Sequence, residues 1–510
     1  MKAWPRKSDS VHSIALFVLL VAAWLANPAC RPAAAADLRQ STSALAVLHP
    51  GQSGVVLLDT GIQALQQRDA LIAAASESID AQYYIWNSDA SGRYLAARLL
   101  SAAERGVRVR LLLDDINIAG RDALFAGLTA HPNVQVRIYN PSAARQGVLR
   151  LLGFVRDFSQ LNRRMHNKSF TADAAVTIVG GRNVGDEYFD LDPATNFRDR
   201  ELLAAGPVVA QVTAGFEAFW NSAWTQPVES LARSARRVVP PDQAVAAARE
   251  VATLGYQAPA DIATDIQART LPALLWAPAR IVFDPPPTAE QIAASTEQQP
   301  VARELRNLVA TARSEILVES AYFILAGESL AEAARLHADG VRLRVLTNSL
   351  ASNDLTTNHS GYARRRPAML DAGIELYELR PDAVACRRLI AVSRACEAGP
   401  AFSLHSKSLV VDRSVVYIGS FNLNLRSTYL NSETALIVSS PELAARVAAS
   451  MEELLRPDSS WQVLRGQNGR LEWLTQIDGR SVRETREPMT GAWRRFTSRF
   501  YRLFPLEKYL

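Results

Sequence analysis

Apolar positions along the chain follow two periods. Ser76–Trp86 and Ile316–Phe323 are crowded with aliphatic and aromatic residues and predict strands. Leu95–Arg105 and Ser329–Asp339 carry apolar residues at helical spacing, and each run stops before a glycine, Gly106 or Gly340. Valine-rich strand-like runs follow both glycines. Strand–helix–strand alternation predicts α/β architecture with mixed sheets. Residues 231–265, rich in Ala, Arg and Pro, read as a partly helical connector, and Pro285–Pro287 as a rigid loop. The expected organisation is a first half over 37–230, the connector, a second half over 266–480 and a basic, aromatic tail over 481–510.

The two halves repeat one another. Asp80–Ile85 recurs as Glu319–Ile324, Gly106–Leu113 as Gly340–Leu346, His166–Phe170 as His405–Leu409, and Gly180–Asn183 as Gly419–Asn422. The offsets are 239, 234, 239 and 239 residues. Collinear matches at nearly one offset identify a tandem of homologous halves.

The N-terminus has a separate logic. Lys2, Arg6 and Lys7 precede the apolar run Ile14–Leu25, and Ala33–Ala36 precedes Asp37. The run is too short for a bilayer-spanning helix of about 20 residues. The pattern is that of a secretory signal peptide over 1–36, cleaved after Ala36. The alternatives are an uncleaved signal anchor or a lipoprotein attached through Cys30, although Asn27 stands where a lipobox needs an aliphatic residue. The formal charge is +5. Four basic residues against Asp9 lie in the first 36 positions, so their removal leaves about +2, and net charge gives no argument for nucleic acid. A 48% hydrophobic, 21% charged composition excludes a disordered, collagen-like or polytopic membrane chain. Three cysteines exclude a disulfide scaffold and a four-cysteine zinc site, but in an oxidising compartment Cys386 and Cys396 could form a local disulfide.

The candidate chemistry lies on the repeated His-x-Lys. His166 and Lys168 are followed by Asp173, and His405 and Lys407 by Asp412. On extended backbone, residues two apart share a face, so each half presents an imidazole beside an ammonium. Ala174–Val179 and Val415–Ile418 continue each motif as the second strand of a hairpin. They end in Gly180-Gly181-x-Asn183 and Gly419-Ser420-x-Asn422, where small residues admit a ligand close to the backbone. Cationic and neutral donors call for an anion. Two histidines could bind zinc, but the lysines would repel it. A phosphoryl group fits better: Lys168, Lys407, Asn183, Asn422 and Ser420 would hold its oxygens, one histidine would attack phosphorus, and the other would protonate the leaving alcohol. Asp173 and Asp412 stand as catalytic candidates, or as pins of their hairpin turns. A nucleophilic histidine also needs an orienting carboxylate. Asp199, downstream of His166, and Glu433, downstream of His405, are the candidates, while Glu187 reads as a solvated helix residue.

The duplicated His-x-Lys-x4-Asp with Gly-Gly/Ser-x-Asn resembles the phospholipase D superfamily, from about Leu58 to the C-terminus. Gly181–Phe189, Arg344–Asp354, His359–Ala363 and Glu375–Pro381 are similar to the bacterial cardiolipin synthases, most of all their C-type branch. The resemblance implies two homologous α/β halves packed as a pseudo-two-fold pair around one active site, with no metal or other cofactor. It implies His166 as nucleophile and His405 as general acid, roles that the symmetry makes exchangeable. It further implies transfer of a phosphatidyl group from phosphatidylglycerol or phosphatidylethanolamine to phosphatidylglycerol; the signal-like N-terminus places this on the periplasmic face of the inner membrane, peripheral or signal-anchored. The other readings are a phospholipase D-type hydrolase, an exported phosphodiesterase or endonuclease, and a non-catalytic membrane-binding scaffold. The synthases often carry two N-terminal membrane helices, where this chain has one signal-like segment. Its tail compensates: Trp493, Phe496, Phe500 and Leu503 form one apolar helical face with Arg494, Arg495, Arg499 and Arg502 around it. Such a helix suits an anionic membrane surface, or docks its aromatic face on the body.

Overall fold

The computed structural model describes residues 37–118, 122–142, 161–231, 241–288, 298–390, 396 and 401–504. The predicted signal peptide, including Cys30, lies outside them.

The first half is built on a nine-stranded sheet. Its strands are β1 (Ser53–Leu58), β2 (Ser78–Tyr83), β3 (Arg108–Asp114), β4 (Val134–Tyr139), β5 (Ser169–Ala172), β6 (Val176–Gly180), β8 (Glu201–Ala205), β9 (Thr225–Pro227) and β10 (Leu275–Ala277). They lie in the spatial order β10–β1–β8–β6–β5–β2–β3–β4–β9. A short strand, β7 (Thr195–Arg198), stays outside this sheet.

The second half has ten strands: β11 (Ala279–Phe283), β12 (Glu315–Ser320), β13 (Arg342–Asn348), β14 (Glu375–Leu379), β16 (Lys407–Val411), β17 (Val415–Gly419), β18 (Thr434–Ser439), β19 (Ser460–Arg465), β20 (Leu471–Ile477) and β21 (Arg480–Glu484). Their order, β11–β18–β17–β16–β12–β13–β14–β19–β20–β21, repeats that of the first sheet from β1 to β9 and adds a C-terminal hairpin. In both halves three central strands run parallel and the rest antiparallel. The parallel strands are joined through helices such as Ala90–Glu104 and Glu328–Ala338, which flank the sheets as expected.

The halves meet through the sheets. Val55, Leu202 and Ala204 share a buried cluster with Val410, Val416 and Leu436. Arg200 reaches across to ion-pair with Glu319, both fully buried, and also holds Asp59 at 2.7 Å. The second half begins later than the expected residue 266. Ile262–Asp265 packs on the helix Gly61–Ala74, Thr270 Oγ1 donates to Gln67 Oε1, and β10 pairs with β1, so the chain enters the second sheet at Ala279. Cys386 and Cys396 are joined in a disulfide with a Cα–Cα distance of 5.7 Å.

The ladders also adjust the repeat. Ser78 pairs with Arg108 and Glu315 with Arg342, so β2 and β12 correspond at an offset of 237, not 239. Trp86 therefore corresponds to Phe323, and Gln82 to Glu319. A two-residue slip preserves which side chains face the core, so the apolar pattern could not reveal it.

Candidate functional site

Two hairpins carry the repeated motifs. Between β5 and β6, Asp173 and Ala174 have positive φ angles of 53° and 48°; between β16 and β17, Asp412 and Arg413 have 48° and 52°. Each connection has three residues, and its first two take the left-handed backbone that tight hairpin turns require. The Asp173 carboxylate accepts from the amides of Ser76, Glu77 and Ser78 at 2.8–2.9 Å. That of Asp412 accepts from Arg313, Ser314 and Glu315 at 2.8–3.0 Å. Each aspartate thus ties its turn to the segment entering β2 or β12, at the far end of the strand from the histidine. Their catalytic candidacy is corrected to a structural part.

At the near ends, both histidines are held by the opposite half. A second short strand outside the two sheets, β15 (Ala401–Leu404), pairs in parallel with β7, Leu404 opposite Arg198. One residue further, His405 lies beside Asp199, and its Nδ1 is 2.6 Å from Asp199 Oδ2. A parallel bridge between Met165 and Ser432 likewise sets His166 beside Glu433, with Nδ1 2.7 Å from Oε2. The His166 amide donates to the Ser432 carbonyl, and that of His405 to the Arg198 carbonyl. The two carboxylates are those the sequence nominated, but each serves the histidine of the other half. With Nδ1 engaged, Nε2 is the nitrogen left for a ligand.

Both imidazoles are buried, 6% and 7% exposed. Burial pushes His166 down to about 4; Lys168 adds to this, while Glu433 opposes it. Burial and then Lys407 push His405 down to about 3 against Asp199. Both are therefore neutral near pH 7, the form in which an imidazole can attack. Burial lowers Lys407 to about 8 and Lys168 well below the usual lysine range. Burial pushes Glu433 and Asp199 up, but the facing histidines and lysines outweigh it and hold both carboxylates low. Each motif's lysine acts on the other motif's histidine, which joins both motifs in a single electrostatic centre. Lys168 Nζ donates to its own motif's His166 carbonyl at 2.6 Å, and Lys407 Nζ to that of His405.

The remaining candidates divide. Asn183 is engaged, donating to the Tyr188 hydroxyl at 3.0 Å and accepting from the Ile85 amide at 3.2 Å. Asn422 keeps a buried Oδ1 with no hydrogen-bond partner. Ser420 Oγ donates to Glu433 Oε2 at 2.5 Å and accepts from the Thr434 amide at 2.9 Å. Its single proton thus fixes the carboxylate, which corrects the expected phosphate contact. At the equivalent Gly181 a Cβ would stand 2.5 Å from Asp199 Oδ1, so the shorter carboxylate requires glycine there. Glu187 is not solvated: it accepts from Asn87 Nδ2 at 2.9 Å, and burial pushes its carboxyl up to about 7. Two tyrosines were missed. Tyr84 sets its ring edgewise to His166, centroids 4.8 Å apart, and Tyr188 to His405 at 5.1 Å. Both come from the first half, in segments already notable for the repeat or the resemblance. Among the described residues no three His, Cys, Asp or Glu side chains are grouped as metal ligands.

Paired imidazoles, each backed by a carboxylate from the opposite half, with two lysines between them, define a phospholipase D-type centre. The family described as cardiolipin synthase, PLD-like domain, matches residues 69–220 and 305–455, one copy in each half, and the chain belongs to it. It is 37% identical to cardiolipin synthase C of Escherichia coli K12 over 90% of this chain and 96% of that protein. It is 30% identical to an uncharacterized protein of Helicobacter pylori J99, over 90% and 89% respectively. Among solved structures, the phosphatidylserine synthase of Haemophilus influenzae shares the fold at 14% identity, with a TM-score of 0.56, over 82% of this chain and 91% of that one.

Proposed function

We propose that this protein is a phosphatidyltransferase that makes cardiolipin, taking a phosphatidyl group from phosphatidylglycerol or phosphatidylethanolamine and placing it on the glycerol hydroxyl of a second phosphatidylglycerol. The observation that carries the reading is the crossed pair of His–carboxylate contacts, which gives two similarly prepared imidazoles at one centre. Similarity over nearly the full length of a cardiolipin synthase selects the lipid among phosphodiesters.

His166 Nε2, neutral and oriented through Nδ1 by Glu433, attacks phosphorus. The bond from phosphorus to the headgroup oxygen breaks, and His405 delivers a proton to that oxygen. His405 then takes the proton of the acceptor hydroxyl as its oxygen attacks, the phosphorus–nitrogen bond breaks, and His166 is regenerated. Lys168 and Lys407 balance the charge on the phosphoryl oxygens, and Asn422 can donate its amide N–H to one of them. The anionic phosphate favours the charged forms of the same lysines and of His405, so substrate raises what burial lowers. Water in place of the acceptor would give phosphatidic acid, the hydrolase outcome.

The tail supports work at a lipid surface. Helix Ala492–Tyr501 packs through its polar side: Ser498 is buried, and Arg494 donates to the Asn353 carbonyl. Trp493 and Leu503 are 74% and 76% exposed, with Phe496, Phe500 and Phe504 beside them. An outward aromatic face ringed by arginine fits an anionic interface. Among the described residues no helix is long and apolar enough to cross a membrane. Export by residues 1–36 would place this helix at the periplasmic leaflet.

Full-length protein incubated with phosphatidylglycerol vesicles, with and without phosphatidylethanolamine, tests the reading by mass spectrometry of extracted lipids. Cardiolipin that disappears in His166→Asn and in His405→Asn is expected. Phosphatidic acid as the dominant product would make the protein a hydrolase.

A further inference from the structure

The second half contains a cavity of about 500 Å³ between its sheet and the helices Pro300–Ala310 and Glu328–Ala338. This lies within the 300–1,000 Å³ of typical ligand pockets. Its walls include Leu305, Ala333, Leu336, Phe323, Phe421 and Leu423, while Arg306 and Glu328 are among its few charged lining residues. Most of the wall is apolar, and Gln298, Ser329, Glu332 and Thr428 add polar groups to it.

Two features tie the cavity to the reacting centre. Phe421 and Leu423 line it and flank Asn422, and Phe323 and Ile324 line it directly after Tyr322. The Ile324 amide donates to the Leu423 carbonyl at 2.7 Å, joining these two walls. The Tyr322 hydroxyl is held by Asp354, and burial and then Asp354 itself raise that phenol, with Tyr188 and Tyr84 of the catalytic cleft adding to the effect. The same two loops thus face the phosphate site with one set of residues and the cavity with the next.

In the first half, larger side chains stand at the equivalent positions. Trp86 stands where the second half has Phe323, and Phe170 where it has Leu409; both larger rings are buried in the core. Helix Pro241–Leu254 then lies across Ala90–Glu104, and Tyr256 meets Tyr94 with ring centroids 5.8 Å apart. The second half has no counterpart of that covering helix among its described residues. Symmetry is broken at one place, by smaller side chains and a missing cover.

We infer that this cavity binds one acyl chain of a phospholipid whose phosphate occupies the His166–His405 centre. The inference rests on the lipid reading above and adds where the substrate's apolar part is held. Within the length the cavity accommodates, each added methylene should strengthen binding about fourfold.

Two readouts on the full-length protein test it. The fluorescent fatty acid cis-parinaric acid should bind the wild type, and Ala333→Phe, which fills the cavity from one helix, should abolish that binding. Ala302→Phe fills it from the other helix and should do the same. On dioleoyl-phosphatidylglycerol vesicles both variants should lose at least tenfold in kcat/KM, while on dihexanoyl-phosphatidylglycerol, whose chains place far fewer methylenes in the cavity, the loss should be much smaller. Leu305→Ala, which enlarges the cavity, should move the preference toward longer chains. Absence of parinarate binding to the wild type, or unchanged binding in a folded filling variant, overturns the inference. Failure of the wild type to turn over either lipid, with parinarate still bound, would instead count against the phosphatidyltransferase reading, because parinarate binding reads the cavity alone.

Discussion

At His405, the imidazole serves as an acid only when it holds a proton, yet burial and Lys407 push it down to about 3. The proton must therefore come with the substrate's negative charge, and activity should depend on the lysines that bind that charge. Lys407, lowered to about 8, is an ammonium below that pH and a neutral amine above it. In the free enzyme kcat/KM should accordingly fall above about pH 8. Lys407→Arg keeps its charge throughout this range, so its profile should lose the alkaline limb even though its geometry lowers the rate. An unchanged limb in that variant would assign it to another group. The carboxylates give a second prediction. Asp199→Asn and Glu433→Gln keep size but lose charge, and each should cut kcat by about 10²–10⁴ by letting the imidazole settle in the wrong tautomer. The damage in Glu433→Gln should fall on His166, on the opposite half, a relation checked by following the imidazole resonances of both histidines by NMR. The residues of the centre were legible because duplication repeats His, Lys and Asn at one offset. Which carboxylate serves which histidine was not, because this is set by the β7–β15 pairing and the Met165–Ser432 bridge, contacts between segments more than 200 residues apart.

The hairpin is the element that turns the motif into geometry. Its aspartate is remote from the reacting atoms and accepts three backbone amides, so it fixes the strand that carries His and Lys. Asp173→Ala should destabilise the fold by about 1–3 kcal/mol, mostly the cost of leaving the buried Ser78 amide without an acceptor. Thermal unfolding would show this as a lowered Tm, and kcat at 25 °C should remain within a few-fold of wild type. A kcat loss comparable to that of His166→Asn, with no change in Tm, would return the aspartate to the chemistry. Asp412 holds its three amides in the same way, and they lower its carboxyl against burial. The stability it adds is present above the usual value of 3.8 and lost as pH falls through the lower folded value, so the penalty of Asp412→Ala should shrink toward pH 3. The alternation of strands and helices was visible in the chain's periodicity. The two-residue slip of β2 against β12 was not, since a period of two looks the same after a shift of two. The entry to the second sheet was also misplaced, because β10 lends its few residues to the edge of the first.

For the whole molecule, the arrangement of the halves and the direction of the tail decide how a lipid reaches the centre. Arg200, fully buried between Asp59 and Glu319, joins the halves electrostatically, and its removal would leave the buried Glu319 carboxylate without its cation, while Asp59 would keep Arg198. The tail helix lies against the helix Thr356–Asp371. Arg494 binds the carbonyl of Asn353, next to the Asp354 that holds Tyr322 at 2.9 Å. Arg494 therefore connects the helix that presents the outward rings to the loop that holds Tyr322. Trp493→Ser combined with Phe496→Ser removes two exposed aromatics without opening any core, so Tm should not change. Each ring contributes about 1.5–3 kcal/mol when fully buried. The double variant should therefore bind phosphatidylglycerol vesicles at least a hundredfold more weakly in a sedimentation assay. On monomeric dihexanoyl-phosphatidylglycerol its kcat/KM should equal that of the wild type, since no membrane has to be reached. Vesicle binding that survives the double substitution would assign attachment to another part of the chain, whereas loss on the monomeric lipid as well would mean that the helix shapes the site through Arg494 rather than delivering the protein to its substrate.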